Sequence, residues 1–206
     1  MYENRSGQRV AVEFVGGVDA ARRVEAGEAF DFVVLAAAAI DQLAVAGRID
    51  PHTRLVIARS RVAMAVPAGT THPDLASEQE LRNALLAVNR IGYSTGPSGE
   101  HLRRLLQRWD IADVVAPRMV KAPPGVPVGA LLARGEVDVG IQQLSELIGL
   151  PGVEVVGAFP AEIQEITEFT GAVCEPSAAR AAAQALLAFC ASSLADATKR
   201  RHGMEP

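Results

Sequence analysis

The chain has 206 residues, 49% of them hydrophobic and 21% charged, which is enough apolar material for one large domain or two small lobes. The formal net charge of −4, with no basic run interleaved with aromatic residues, argues against a nucleic-acid-binding surface. The two cysteines form no CxxC pair and the four histidines show no ligand spacing, so neither a metal nor a cofactor is expected.

The sequence also bears on membranes and secretion. No stretch approaches the roughly 18 uninterrupted apolar residues that a membrane-spanning helix needs. Residues 1–7 lack the apolar segment of a secretion signal. As written, the sequence therefore predicts a cytoplasmic protein without a membrane span.

The first part of the chain alternates between strand and helix patterns. Val10–Val15 alternates in polarity and is rich in β-formers, and Gly16 and Gly17 then interrupt it before a helical pattern at Val18–Ala26. A continuous apolar strand follows, and then a helix that ends at a glycine. These are Phe30–Leu35, Ala37–Ala46 and Gly47. This alternation predicts an α/β fold.

Two long extended runs indicate two lobes. Arg54–Val66 is an unusually long β-prone run, and Glu162–Val173 is a second one late in the chain. A strand of that length is expected to cross from one lobe to another. Between them, Ser77 with Glu80 three residues later has the form of a capping box that opens a helix.

The stretch Ile91–Leu102 passes from an apolar run through a Gly/Ser/Pro loop into a helix. The first turn of that helix falls at Pro97 or Ser98, where backbone N–H groups lack intrahelical partners. Together with the hydroxyls of Ser94, Thr95 and Ser98, these donors favour a carboxylate or oxyanion. The same residues are equally typical of a plain turn and helix cap.

The rest of the chain repeats this design. A second Gly/Pro loop, 122–129, precedes a helix that closes at Gly135. The expected elements around it are a strand at Asp113–Val120, a strand at Val137–Ile141, a helix or turn at Gln142–Leu147, a short strand at Val153–Val156 and an Ala-rich helix at Pro176–Leu194.

The order of these parts resembles the type II periplasmic binding proteins, in the branch of the molybdate-binding proteins of ABC transporters and their organic-anion relatives. The matching segments of the first lobe are the Gly16-Gly17 loop, the helix end Val24-Glu25-Ala26-Gly27, the strand Asp31–Leu35 and Ile40–Leu43. Those of the second lobe are Gly92 through Gly99, Val128–Leu132 and Gly140–Gln143, with Glu168-Phe169 on the return strand.

This resemblance implies an α/β fold of two lobes, each a mixed sheet flanked by helices, joined by two crossing strands. Lobe 1 is expected at residues 1–64 plus 168–206, and lobe 2 at 65–167. The family begins with a strand, a loop and a helix, whereas residues 2–7 resemble only the tail of that helix. We therefore expect the first strand to be missing, together with any secretion signal before it.

The resemblance also implies the ligand contacts. The family's oxyanion contacts fall on Gly17 in the first lobe and on Ser98, Pro127 and Gln143 in the second. With their loop neighbours, the expected binding residues are Gly16, Gly17, Ser94, Thr95, Ser98, Gly99, Pro127, Val128, Gln142 and Gln143.

Two departures from the family bear on the ligand. Molybdate binders offer a serine hydroxyl in the first-lobe loop, where this chain has Gly16-Gly17-Val18, and a tyrosine hydroxyl where it has Gln143. An amide both donates and accepts hydrogen bonds, which suits a partly protonated or hydroxylated organic acid. A di- or tricarboxylate is therefore favoured, with molybdate or tungstate as an alternative.

The function implied is a binding protein that closes around a small anion and delivers it to an ABC transporter permease, periplasmic by resemblance. An alternative is an isomerase similar to aconitate isomerase, which moves a double bond by proton transfer. Its candidate proton-transfer groups are His101 and Glu168. A cytoplasmic sensor would also use this fold, but no DNA-binding segment accompanies it.

Overall fold

The computed structural model describes residues 1–123 and 125–206. Pro124, in the loop expected at 122–129, lies outside the described residues. The helices are α1 (Tyr2–Ser6), α2 (Gly17–Glu25), α3 (Ala37–Val45), α4 (Glu78–Ala87), α5 (Pro97–Arg108), α6 (Ala112–Val115), α7 (Val128–Ala133), α8 (Leu144–Leu147), α9 (Arg180–Ala191) and α10 (Asp196–Arg201).

The strands alternate with these helices along much of the chain. They are β1 (Phe32–Ala36), β2 (Leu55–Pro67), β3 (Ile91–Tyr93), β4 (Met119–Lys121), β5 (Val139–Gln143), β6 (Val153–Ala158), β7 (Ile166–Val173) and β8 (Met204–Glu205). The α/β class expected from the sequence is therefore confirmed.

The chain folds into two compact units. Unit 1 contains Met1–Arg59, Glu168–Arg201 and Glu205–Pro206, and unit 2 contains Ser60–Thr167 and His202–Met204. Strands β2 and β7 each contribute residues to both units, and so does the short C-terminal strand β8. The lobe boundaries expected at 64/65 and 167/168 stay a prediction.

Unit 2 is built on a mixed sheet whose central strand comes from β2. In this unit β2 pairs antiparallel with β5 on one side and with β6 on the other, while β3 runs parallel to both β4 and β5. Because side chains alternate along a strand, Val62 and Met64 enter one apolar cluster and Ala63 and Ala65 enter another. The sheet is therefore covered on both faces.

The two faces carry different helices. The face of Val62 and Met64 packs against leucines of α4 and α5, and the face of the two alanines packs against α7. Helix α4 begins as the capping box predicts, since the Ser77 hydroxyl accepts a hydrogen bond from the Glu80 N–H at 3.2 Å. Helices α5 and α7 thus start on opposite faces of one sheet.

Unit 1 has a smaller core of its own. Strand β1 pairs antiparallel with β7, with Phe32 opposite Val173 and Ala36 opposite Phe169. One apolar cluster joins α2, α3 and β1 around Ile40, which is fully buried. A second small cluster places Leu187 of α9 against Val173.

The strand expected at Val10–Val15 does not form. Residues 7–16 contain neither helix nor strand, and Phe14 is 90% exposed. An extended segment needs a neighbouring strand for its backbone hydrogen bonds, and no described strand pairs with residues 10–15. Alternating polarity alone therefore gave a wrong prediction here.

The strand expected at Asp113–Val120 is also mostly wrong. Its first part is helix α6, and only Met119–Lys121 forms a strand. Ile111 and Val115, four residues apart, are buried while Val114 between them is exposed, which is the burial pattern of a helix. Four-residue spacing outweighed the β propensity of the valines.

No single helix among the described residues is long and apolar enough to cross a membrane; one pair bent by 63°, Arg180–Ala191 with Ser193–Arg201, passes by length and composition only. Within residues 1–123 and 125–206, no three His, Cys, Asp or Glu side chains come together as a metal site.

Candidate anion-binding site

Helix α5 begins in a tight loop of hydroxyl residues. Gly96 precedes the helix, and its carbonyl accepts hydrogen bonds from the N–H groups of Gly99 and Glu100 at 3.0 and 3.1 Å. Proline has no N–H, so the first-turn amide without a partner among the described residues is that of Ser98. Ser98 is buried, and its hydroxyl oxygen lies 3.3 Å from that of Ser94.

Gly99 allows this loop to fold closely onto the helix. A Cβ atom at Gly99 would lie 1.8 Å from the carbonyl oxygen of Ser94, so no side chain fits there. Thr95, by contrast, is exposed. The loop therefore brings Ser94 and Ser98 together and leaves the Thr95 hydroxyl in solvent.

Helix α7 begins in the second loop, but its first amide is already occupied. Pro127 precedes the helix, and the Val128 N–H donates to the side-chain carbonyl of Gln142 at 3.0 Å. The Gln142 amide also hydrogen-bonds the carboxyl of Glu146. Both polar atoms of Gln142 are thus engaged within the protein, and Gln142 acts as the cap of α7.

Burial by the surrounding protein raises the pKa of Glu146, although hydrogen bonds from the Gln143 backbone and the Gln142 side chain oppose the shift.

Gln143 differs from its neighbour. It is 2% exposed, and its amide nitrogen donates to the Thr167 hydroxyl at 2.6 Å. Its carbonyl oxygen has no hydrogen-bond partner, the one such buried side-chain atom among the described residues. A buried acceptor without a donor is costly and calls for a partner that the chain itself does not supply.

Two buried hydroxyl residues were not among the expected site residues. Thr167 holds the Gln143 amide, and Ser60 accepts a hydrogen bond from the Ser145 N–H at 3.3 Å. Ser60 lies where the apolar run at 55–66 is interrupted by polar residues, whereas no comparable pattern marks Thr167. That interruption was visible in the sequence and was the available signal.

The expected first-lobe contacts, Gly16 and Gly17, lie at the start of α2 in unit 1. Both are exposed, and α2 has no side-chain cap. The Gly16 carbonyl accepts the Ala20 N–H at 2.9 Å, as in any helix start. This loop offers backbone groups only.

The two candidate proton-transfer residues lie in different units. His101, in α5, is buried, with Nε2 2.7 Å from the Ile163 carbonyl and Nδ1 3.1 Å from the Glu165 carboxylate. Glu168 of unit 1 accepts a hydrogen bond from Arg59 at 2.8 Å. Both ring nitrogens of His101 and one carboxylate oxygen of Glu168 are therefore engaged by protein groups.

An α/β fold of two units, with polar loops at the helix starts, is typical of the type II periplasmic binding proteins. A family described as bacterial extracellular solute-binding protein matches residues 1–205. The chain belongs to this family.

Individual relatives agree with that assignment. Aconitate isomerase of a Pseudomonas species is 34% identical over 187 residues, covering 89% of this chain and 70% of that protein. The molybdate-binding protein of Escherichia coli (strain K12) is 25% identical over 183 residues, covering 84% and 70%. The structure of the periplasmic molybdate-binding protein of Azotobacter vinelandii has a TM-score of 0.81 at 18% identity, covering 100% of this chain and 90% of that chain.

Proposed function

We propose that this solute-binding protein takes a small organic acid with two or three carboxylates and delivers it to an ABC transporter permease. The observation that carries the proposal is the unpartnered carbonyl oxygen of Gln143, buried beside Thr167. It supports a ligand that carries a hydrogen-bond donor for Gln143 as well as a negative group for the loop before α5.

The donor distinguishes two kinds of anion. An organic acid with a hydroxyl group or a protonated carboxyl supplies an O–H to the Gln143 oxygen, whereas molybdate and sulfate, fully deprotonated, offer only acceptors. Rotating the amide by 180° exchanges its oxygen and nitrogen, with the Thr167 hydroxyl then donating, and this orientation suits an oxyanion. A hydroxy acid is compatible with either orientation.

The carboxylate itself would be held at the start of α5. The Ser98 N–H, the hydroxyls of Ser94 and Ser98 and the positive end of the helix dipole all favour a negative group there. Thr95 adds an exposed hydroxyl at the loop tip. Charge and the unpartnered acceptor together favour a carboxylic acid.

Calorimetry with citrate, cis-aconitate, trans-aconitate, molybdate and sulfate tests the proposal. We expect saturable binding of at least one organic acid, tighter than that of either inorganic anion. Binding of molybdate with no response to any organic acid would overturn the ligand assignment and favour the molybdate or tungstate alternative.

An isomerase is the second candidate, favoured by the 34% identity to aconitate isomerase. Proton transfer needs a base and an acid within hydrogen-bond reach of the substrate carbon. His101 and Glu168 are the candidates, and each would first have to release the protein partner that it now contacts. Ultraviolet monitoring of cis- and trans-aconitate separates the two functions, because a receptor binds without interconverting them.

A further inference from the structure

A cavity of about 260 Å³ lies in unit 2, where strands β3 and β4 end. At roughly 30 Å³ for each water molecule, it has room for a carboxylate group and several carbon atoms. Its lining residues come from the two strand ends, the following loop and the outer side of α5. They are Tyr93, Ser94, Thr95, Glu100, Arg103 and Lys121.

Two of these side chains are cations without partners. Arg103 and Lys121 are exposed, and neither has a hydrogen bond or ion pair within the described residues. Arg104 and Arg108 on the same helix are paired, with Glu165 and Glu78 respectively. Arg103 and Lys121 thus remain available to a ligand, whereas the other two arginines on the later part of α5 are paired with carboxylates.

The charge of the cavity favours an anion. Glu100 is its one acidic lining residue, set against two cations, and the Tyr93 hydroxyl has no partner among the described residues. A guanidinium, an ammonium and a phenol all donate hydrogen bonds, and the guanidinium can bind both oxygens of one carboxylate. This donor set matches a carboxylate.

The strand register places Lys121 beside Tyr93, next to the loop that opens α5. Tyr93 pairs with Lys121 in the parallel ladder, and the Ala122 N–H donates to the Tyr93 carbonyl at 2.9 Å. Strand β3 leads into α5 on one face of the sheet, and β4 leads on to α7 on the other. Strand ends whose connections diverge in this way form the usual ligand crevice of an open α/β sheet.

We propose that Arg103 and Lys121 bind a second anionic group of the ligand, a carboxylate separate from the one at the start of α5. The inference rests on the proposed function. Ser94 lines the cavity and also faces Ser98 at 3.3 Å, so the two positions are continuous through one residue. The arrangement selects acids with several carboxylates over acids with one.

The test uses the full chain, with citrate and trans-aconitate as probes in calorimetry. The variants are Arg103→Gln, Lys121→Gln and the double substitution. Arg82→Gln is the matched control, because Arg82 is a cation of helix α4 in the same unit, lines no part of the cavity and has no side-chain hydrogen bond or ion pair among the described residues. Unfolding midpoints in urea verify that all variants fold alike.

We expect each single substitution to weaken binding about fivefold and the double substitution at least about twentyfold, because each removes a charge-assisted hydrogen bond. Raising the salt concentration should weaken binding by the double variant less than binding by the wild type. Arg82→Gln should stay within about twofold of the wild type.

The outcomes separate the two proposals. If the wild type binds either acid and the double variant binds it as tightly as Arg82→Gln does, the second carboxylate site is refuted and the proposed function stands. If the wild type binds neither acid, the second carboxylate site is refuted, and the proposed function is refuted as well when cis-aconitate also fails to bind. Weakening confined to the cavity variants supports both.

Discussion

The candidate binding loops of unit 1 and unit 2, which precede helices, differ in the polar side chains that lie at or near them. In unit 2 the loop and strand ends bury hydroxyl and amide side chains, namely Ser60, Ser98, Gln142, Gln143 and Thr167. In unit 1 the loop at Gly16 and Gly17 is exposed and carries no side-chain heteroatom. A buried polar group is costly unless it is hydrogen-bonded, so we expect most of the ligand's side-chain contacts to come from unit 2.

Two buried polar residues of unit 1, Thr53 and Lys199, have their partners within unit 1 itself. Thr53 donates to the Asp50 carbonyl at 2.7 Å and accepts from the Val173 N–H at 3.0 Å. Lys199 is paired with Asp196. These groups are satisfied internally, whereas Gln143 of unit 2 is not. The feature that distinguishes the candidate site is therefore the unpartnered carbonyl oxygen of Gln143, and not the burial of polar side chains in general.

The largest expected effect comes from the matched pair Gly99→Ala and Gly17→Ala. At Gly99 the new Cβ would meet the Ser94 carbonyl at 1.8 Å, whereas at Gly17 it would meet only Leu35 at 3.8 Å, an ordinary contact. We expect Gly99→Ala to lower the free energy of unfolding by about 3 kcal/mol and Gly17→Ala to change it by less than about 0.5 kcal/mol. Urea unfolding measures both. Equal effects would remove the distinction between the two loops.

The second largest expected effect distinguishes the roles of the adjacent residues Gln142 and Gln143. Gln142→Leu leaves the Val128 N–H without its partner and should destabilise the fold by about 1 to 3 kcal/mol. Gln143→Leu removes an unpartnered acceptor, which offsets part of the loss of the hydrogen bond to Thr167, so stability should fall by only about 1 kcal/mol while ligand affinity falls about tenfold. Urea unfolding and calorimetry on both variants are the measurements. Loss of stability without loss of affinity in Gln143→Leu would give that residue a structural role.

The smallest expected effect is a pH dependence of stability that comes from a cysteine in the core of unit 1. Cys174 is 1% exposed, and burial raises the pKa of its thiol to about 11. The unfolded chain loses this proton at a lower pH, near 8.5 for a free thiol, so stability should fall as the pH rises from about 9 towards 11. Urea unfolding between pH 8 and 10 should show a decline in the wild type that is smaller in Cys174→Ala. An equal decline in both would assign it to other groups.

Much of the fold follows from spacing in the sequence. The long run at Arg54–Val66 became β2, and the leucines after Ile91–Leu102 became the buried side of α5. The prediction failed where a pattern depended on a distant partner. Val10–Val15 alternates as a strand does, yet no described strand lies beside it.

The candidate site was predicted less completely, for a related reason. Gln142 and Gln143 look equivalent in sequence, but consecutive residues of a strand point to opposite faces. One therefore caps α7 and the other meets Thr167, twenty-four positions later in the chain. Sequence spacing located the pair, and only the fold assigned their separate roles.

The unpaired segment at residues 7–16 has a kinetic consequence. The amides of residues 11–15 have no hydrogen-bond partner among the described residues, so they should exchange with solvent at nearly the rate of an unfolded peptide. The amides of Val62–Ala65 lie in a buried strand flanked by β5 and β6, and they should exchange only when unit 2 opens as a whole. Amide exchange should therefore be fast near the start of the chain and slow in the centre of unit 2. A protease should cleave the first segment long before the second.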